Sequence, residues 1–250
     1  MLALITGASS GIGRDMARIL SERGYDLILV ARRKTRLSQL KKELKTNVEI
    51  INLDISSVYN CTELYDQVKD KDIDIVINNA GFGLYGEFTS LKLEKELDMI
   101  DTNIKAVHCL AKLFLEDFKK KDKGYILNVA SSAAFMPGPM MATYYATKAY
   151  VLHFTEAIYE ELRQSGSHVY IGALCPGPVN TNFNKVAGVE FSLNALTSYD
   201  VAHYALEQMF RRKLVIVPGI QMKLVHVFYR FVPTKLLLKI TYHIQKKKGS

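Results

Sequence analysis

Only three cysteines occur in the 250 residues: Cys61, Cys109 and Cys175. They form neither a CxxC pair nor an even, closely spaced set, which excludes a disulfide scaffold and a cysteine-rich zinc site and predicts a reducing compartment. The six histidines, His108, His153, His168, His203, His226 and His243, show no paired ligand spacing, so no metal site is expected. Long apolar runs are missing as well. The most hydrophobic stretch, 214–238, is interrupted by Pro218, Lys223, Arg230, Pro233 and Lys235, short of the roughly 20 apolar residues a spanning helix needs. The opening Met1-Leu2-Ala3-Leu4-Ile5 runs straight into a glycine loop and leaves no room for a secretory signal peptide. A cytoplasmic protein is expected.

Acidic residues are absent from the last forty positions, where ten Lys or Arg stand between Arg211 and Ser250. The whole chain carries 33 basic against 25 acidic side chains, a net charge of +8, so the first 210 residues hold 23 against 25. The basicity belongs to the tail and not to the body, which argues against a nucleic-acid surface. With 48% hydrophobic residues the chain has enough apolar material for one sizeable core. The organisation predicted is a domain over residues 1–218 followed by a tail over 219–250.

Short β-rich runs recur at Leu2–Ile5, Asp26–Ala31, Val48–Leu53, Ile73–Ile77, Tyr125–Val129, Val169–Leu174 and Leu214–Val217. Segments of helical period alternate with them, among them Ile12–Arg23, Leu93–Lys119, Tyr144–Gln164 and Tyr199–Arg211. Several of the runs are apolar on consecutive positions, as strands covered on both faces are. The pattern predicts an α/β, doubly wound Rossmann fold with a seven-stranded parallel sheet and an appended helical, basic C-terminal tail.

Thr6-Gly7-Ala8-Ser9-Ser10-Gly11-Ile12-Gly13 follows the first strand and opens the first helix, the context in which a glycine loop binds a dinucleotide pyrophosphate. Gly7 suits the tight turn, Gly11 lets backbone approach phosphate, and Gly13 lets the helix pack closely on the strand. Ser9, Ser10 and Ile12 complete the expected cofactor loop, and the helix N-terminus offers free N–H groups to the anion. The loop after the second strand reads Val30-Ala31-Arg32-Arg33-Lys34, with three cations and no acid. A free ribose 2′-hydroxyl is met by an acidic acceptor, a 2′-phosphate by guanidinium. Arg32 and Arg33 therefore predict NADP(H) in preference to NAD(H).

Tyr144 and Lys148 stand i, i+4 at the start of a predicted helix and leave the same face one turn apart. A phenol with an ordinary pKa near 10 is a poor acid or base at neutral pH, and a neighbouring ammonium favours its phenolate. Taken alone the pair is weak evidence. In register with the glycine loop, Asn78-Asn79-Ala80-Gly81, Asn103, Ser131 and Pro176-Gly177, it resembles the short-chain dehydrogenase/reductase family over nearly the whole chain.

The resemblance implies Tyr144 as general acid/base and Ser131 as the group that polarises the substrate oxygen. It implies Lys148 as the residue that lowers the Tyr144 pKa and holds the nicotinamide ribose, and Asn103 as the support of a water-mediated proton path. Asp54, Asn79 and Gly81 match the adenine side. Pro176 and Gly177 match the turn after the sixth strand, and Val179 and Thr181 the pair that orients the nicotinamide carboxamide. Ser131 lies thirteen residues before Tyr144, the family separation, leaving Ser132 as a turn hydroxyl. Tyr145 breaks the spacing and reads as a pocket or packing aromatic.

The activity implied is interconversion of a ketone and a secondary alcohol. Phe183 and Phe191 after Pro176, with Phe135, Met136, Met140 and Met141 before Tyr144, suit a bulky hydrophobic substrate, steroid-like or fatty-acyl. A non-catalytic NADP(H)-binding sensor or scaffold is the rival, and the intact Asn103, Ser131, Tyr144 and Lys148 argue against it. A homodimer or homotetramer is expected from the resemblance. In the tail, Leu236, Ile240 and Ile244 share one helical face with Lys235 and Lys239 off it. Two readings stand: peripheral contact with an anionic membrane, or a helix that caps the pocket or packs on a partner subunit.

Overall fold

The computed structural model describes residues 1–181, 183, 187 and 195–246. Strands and helices alternate as β1 (Leu2–Thr6), α1 (Gly11–Glu22), β2 (Asp26–Val30), α2 (Lys34–Glu43), β3 (Val48–Ile51), α3 (Val58–Val68) and β4 (Ile75–Asn78). They continue with α4 (Leu93–Ile100), α5 (Ala106–Lys121), β5 (Tyr125–Val129), α6 (Ala142–Gln164) and β6 (Tyr170–Leu174). Two short strands, β7 (Val179–Asn180) and β8 (Leu196–Thr197), precede α7 (Ser198–Phe210), β9 (Val215–Ile216), α8 (Ile220–Phe228) and α9 (Thr234–Lys246).

Seven strands form one sheet in the order β3-β2-β1-β4-β5-β6-β9, every pair parallel. Alternate residues of each strand feed opposite cores. Ala3, Ile5, Leu27, Leu29, Ile75 and Ile77 pack with Met16 and Leu20 of α1 and Leu206 and Met209 of α7. Leu4, Ile28, Val76 and Ile126 pack with Leu64 of α3 and Leu110, Phe114 and Phe118 of α5. The strand order reverses between β1 and β4, which opens a crevice at their carboxyl ends.

Two features hold the elements that border this crevice. The buried Asn78 donates through Nδ2 to Asn128 Oδ1 at 2.9 Å, and Asn128 Nδ2 donates to Thr155 Oγ1 at 3.0 Å. That chain of amides ties β4 and β5 to α6. The second feature departs from the single helix expected over Leu93–Lys119: residues Asp101–Lys105 form a π turn between α4 and α5. Such insertions recur at functional sites because one extra residue re-aims a side chain. Here that side chain is Asn103.

The tail folds into two helices. From α8, Met222 reaches Gly177 and the His226 ring lies 4.3 Å from that of Phe135. From α9, Thr241 and Gln245 are buried, and Gln245 Nε2 donates to the Tyr145 hydroxyl. No described helix is long and apolar enough to cross a membrane.

Candidate active site

A cavity of about 390 Å³ lies along the carboxyl ends of the central strands, within the size range of small-molecule sites. One end is walled by the glycine loop and the N-terminus of α1. Gly7 and Gly11 adopt φ values of 65° and 56°, where a side chain would be strained. A Cβ on Gly7 would also stand 2.8 Å from the Cα of Ala80, and one on Gly11 3.2 Å from Thr181 Cγ2. Ser10, at the N-cap of α1, makes no side-chain cap hydrogen bond, and the first turn holds no acidic residue. The helix therefore presents its first N–H groups and its positive dipole end to the cavity.

Asn79 braces this loop. Its Nδ2 donates to the carbonyl oxygens of Thr6 and Gly7 at 3.0 and 3.3 Å, while its N–H donates to Thr6 Oγ1. Gly13 does not line the cavity; it is the point at which α1 closes on Asn79, since a Cβ there would stand 2.3 Å from Asn79 Nδ2.

Arg33 reaches back from the end of β2 and donates to Ser9 Oγ at 2.9 Å and Ser10 Oγ at 3.1 Å. Burial, then the neighbouring charges of Arg36 and Arg32, lower its pKa from the usual guanidinium value. Both effects disfavour the charged form. Arg32 lies 3.5 Å from Asp54, both well exposed. Ile12, Gly81, Pro176, Gly177, Val179 and Thr181 line the same cavity.

At the other end α6 presents Tyr144 and Lys148, with Ser131 at the carboxyl end of β5 and all three on the cavity wall. Ser131 Oγ accepts from the N–H of Ala133 at 3.1 Å, so its position is fixed by the turn it caps. Lys148 Nζ donates to the Val129 carbonyl oxygen at 2.8 Å and stands 5.9 Å from the centre of the Tyr144 ring. Burial pushes the Tyr144 phenol up to about 12, partly offset by the Ser131 hydroxyl, and pushes the Lys148 ammonium down to about 8. Desolvation dominates the Tyr144 value, and Lys148 is not among the groups that set it.

Asn103 is fully buried behind the cavity. Its amide reads both backbone groups of Phe82, accepting from the N–H at 3.1 Å and donating to the carbonyl oxygen at 2.9 Å, and also donates to Thr147 Oγ1 at 3.0 Å. A Cβ on Gly81 would lie 2.9 Å from Asn103 Oδ1 and 3.3 Å from Lys148 Nζ. Glycine alone fits between the two. Phe82 and Thr147 escaped the sequence reading. Thr147 carried a signal, a hydroxyl at i+3 from Tyr144, whereas Phe82 contributes backbone and carried none.

The apolar wall differs from expectation. Met141, Phe82, Tyr145 and Phe183 line the cavity, and Phe135, Met136 and Met140 do not. Phe135 and Met136 join a separate core with Val151 and Val217, and Met140 takes a left-handed turn with φ 68° while its carbonyl accepts from Gly86. Of the loop residues after Pro176, Asn182, Asn184, Lys185, Val186, Gly188, Val189, Glu190 and Phe191 lie outside the described residues.

Comparison with known proteins adds independent findings. The family profile described as short chain dehydrogenase matches residues 1–189. A short-chain dehydrogenase of Sphingobium yanoikuyae, solved in complex with NADPH, superposes with a TM-score of 0.82 at 33% identity, covering 92% of this chain and 90% of that one. A bulky-bulky ketone specific alcohol dehydrogenase of Comamonas testosteroni gives a TM-score of 0.79 at 31% identity, covering 92% and 88%. The human very-long-chain 3-oxoacyl-CoA reductase is 30% identical over 194 residues, 74% of this chain and 61% of the human protein.

Proposed function

Since the chain belongs to the short-chain dehydrogenase family, we propose that it is an NADPH-dependent reductase of a bulky, hydrophobic ketone. Membership makes it an oxidoreductase that binds a nicotinamide dinucleotide and acts on C=O and CH–OH groups. The NADP preference, the substrate class and the residue roles are our reading.

The observation that carries the reading is the two-ended cavity, with Arg33 and the glycine loop at one end and Ser131, Tyr144 and Lys148 at the other. Gly7, Gly11 and the first N–H groups of α1 would hold the pyrophosphate, with Ser9, Ser10 and Ile12 alongside. Arg33, with Arg32, would take the 2′-phosphate, and Asp54, Asn79 and Gly81 the adenosine side. Val179 and Thr181 would orient the carboxamide, next to the Pro176-Gly177 turn. When bound, the nicotinamide supplies hydride. Ser131 Oγ donates to the substrate carbonyl oxygen and polarises it. Tyr144, neutral with its pKa near 12, gives its phenolic proton to that same oxygen as it becomes an alcohol. Lys148 lends positive charge beside the phenolate left behind, and Asn103 holds the Phe82 backbone and Thr147 so that this wall does not shift.

Met141, Tyr145, Phe82 and Phe183 support a large apolar substrate, as do the printed activities of the Comamonas enzyme and the human reductase. The aromatic stack of His108, Tyr150 and Phe154 on α5 and α6, its first two members exposed and Phe154 half-buried, supports self-association through those helices. The test is dihydronicotinamide oxidation against steroid ketones, 3-oxoacyl thioesters and small ketones, with NADPH and NADH in parallel. Turnover of a bulky ketone with NADPH is the expected result; turnover restricted to small ketones, or faster with NADH, overturns the reading.

A further inference from the structure

In α9 the usual arrangement of an amphipathic helix is inverted. The row turned to the body is the half-buried Leu237 with the buried, polar Thr241 and Gln245, whereas Leu236, Ile240 and Ile244 are each 44–51% exposed. Burying an apolar row is the ordinary way a surface helix is stabilised. Here the Tyr145 hydroxyl, which takes Gln245 as its donor, fixes the rotation, and the apolar row faces outward.

The preceding helix shows the same surplus. Its inner row, Met222, Val225, His226 and Tyr229, meets the body, and an outer row of Ile220, Leu224, Val227, Phe228 and Phe231 is 52–78% exposed. Of the eighteen large hydrophobic side chains left exposed among the described residues, ten lie between Ile220 and Ile244. Exposed apolar surface gathered in this way marks a contact face.

The charge around it selects the partner. Lys223, Arg230, Lys235, Lys239 and Lys246 are interleaved with these rows, and no acidic residue occurs anywhere from Arg211 onward. Two copies of the face brought together would set like charges against each other without one carboxylate to relieve them. An anionic lipid surface meets both demands at once, taking the apolar rows below the headgroups and pairing the cations with phosphates. We propose that α8 and α9 form a docking surface for an anionic bilayer. Because Met222 contacts Gly177 and Gln245 contacts Tyr145, the same two helices bear on the walls of the cavity, so a docked molecule would hold its cavity beside the lipid.

The test is co-sedimentation of the full chain with vesicles of phosphatidylcholine alone or mixed with phosphatidylglycerol. Expected are binding to the anionic vesicles only, loss of it at high salt, and weakening on the order of a thousandfold in K223Q/R230Q/K235Q/K239Q. The apolar variant F228S/F231S/L236S/I240S should lose binding as well. Thermal melting and NADPH binding of both variants, expected unchanged, show that the body is intact. Absence of binding to anionic vesicles overturns the proposal, as does equal binding of wild type and variants. So does a wild-type dimer that the apolar variant breaks while vesicles capture neither.

Discussion

Lys148 donates its ammonium to the carbonyl oxygen of Val129 at 2.8 Å within a wall that leaves the residue 5% exposed. One hydrogen bond does not compensate the loss of hydration, and the pKa falls from 10.5 to about 8. The unfolded chain therefore binds more protons than the folded one between about pH 8 and 10.5, and stability rises with pH across that window. Below it the buried charge costs about 3 kcal/mol, from about 1.4 kcal/mol per pKa unit. The hydrogen bond returns about 1 kcal/mol of this. Lys148→Met should accordingly be more stable than wild type at pH 7 by about 1–3 kcal/mol, with the difference shrinking as pH rises to 10.5. Urea titrations at several pH values check this; a constant difference would mean that Lys148 is not destabilised by burial.

Tyr144 presents the opposite shift. Its phenol is raised to about 12, mainly by burial, so the neutral, proton-donating form is favoured on folding. Removing the hydroxyl in Tyr144→Phe should lower kcat for ketone reduction by about 10²–10⁴-fold, the usual contribution of a positioned proton donor. NADPH affinity should stay within about threefold, since the ring that packs on Phe183 remains. Single-turnover rates and a fluorescence titration separate the two quantities. Retained turnover would remove Tyr144 from the mechanism.

The parts of this site that could be read from sequence are those fixed by short-range spacing. The glycine loop, the Arg32-Arg33 pair and the i, i+4 relation of Tyr144 and Lys148 depend on a strand, a turn and a helix, all local. The π turn at Asp101–Lys105 was not legible, because its cause is a long-range partner, the Phe82 backbone, which claims the Asn103 amide. Which way α9 turns was not legible for the same reason. The pattern sets Leu236, Ile240 and Ile244 on one face without fixing whether it points in or out; the Tyr145 hydroxyl, a hundred positions earlier, turns Gln245 inward. Phe135 and Met136 were read into the cavity by proximity to Tyr144 and went to another core.

Gly13 tests whether the cofactor loop is held from behind. A methyl group there would meet Asn79 Nδ2 at 2.3 Å and the Gly7 carbonyl oxygen at 2.9 Å, so Asn79 must release the loop carbonyls it braces. Gly13→Ala should destabilise the protein by about 1–3 kcal/mol through overpacking, despite the better helix propensity of alanine, and should raise the KM for NADPH. Adding Asn79→Ala should recover part of the stability and none of the KM, because the clash is relieved while the brace is lost. Melting curves and initial rates on the single and double variants give both readouts.

Arg33 and Arg32 carry adjacent charges but different partners, and the difference predicts unequal roles. Arg33 is already aimed at the phosphate loop by its bonds to Ser9 and Ser10 at 2.9 and 3.1 Å. Arg32 is 68% exposed in its side chain and loosely paired with Asp54 at 3.5 Å, an arrangement worth little on its own. Arg33→Ala should weaken NADPH by about 10–100-fold, equivalent to about 1.5–3 kcal/mol for a charge-assisted contact. Arg32→Ala should weaken it by less than about fivefold, within the range of an exposed ion pair. NADH, which lacks the 2′-phosphate, should change by less than about threefold in either variant, leaving only the general loss of positive potential to act on its pyrophosphate. Binding titrations with the two dinucleotides check the ordering. If both weaken equally in Arg33→Ala, the guanidinium serves the loop and not the 2′-phosphate, and the preference for NADP(H) loses its physical basis.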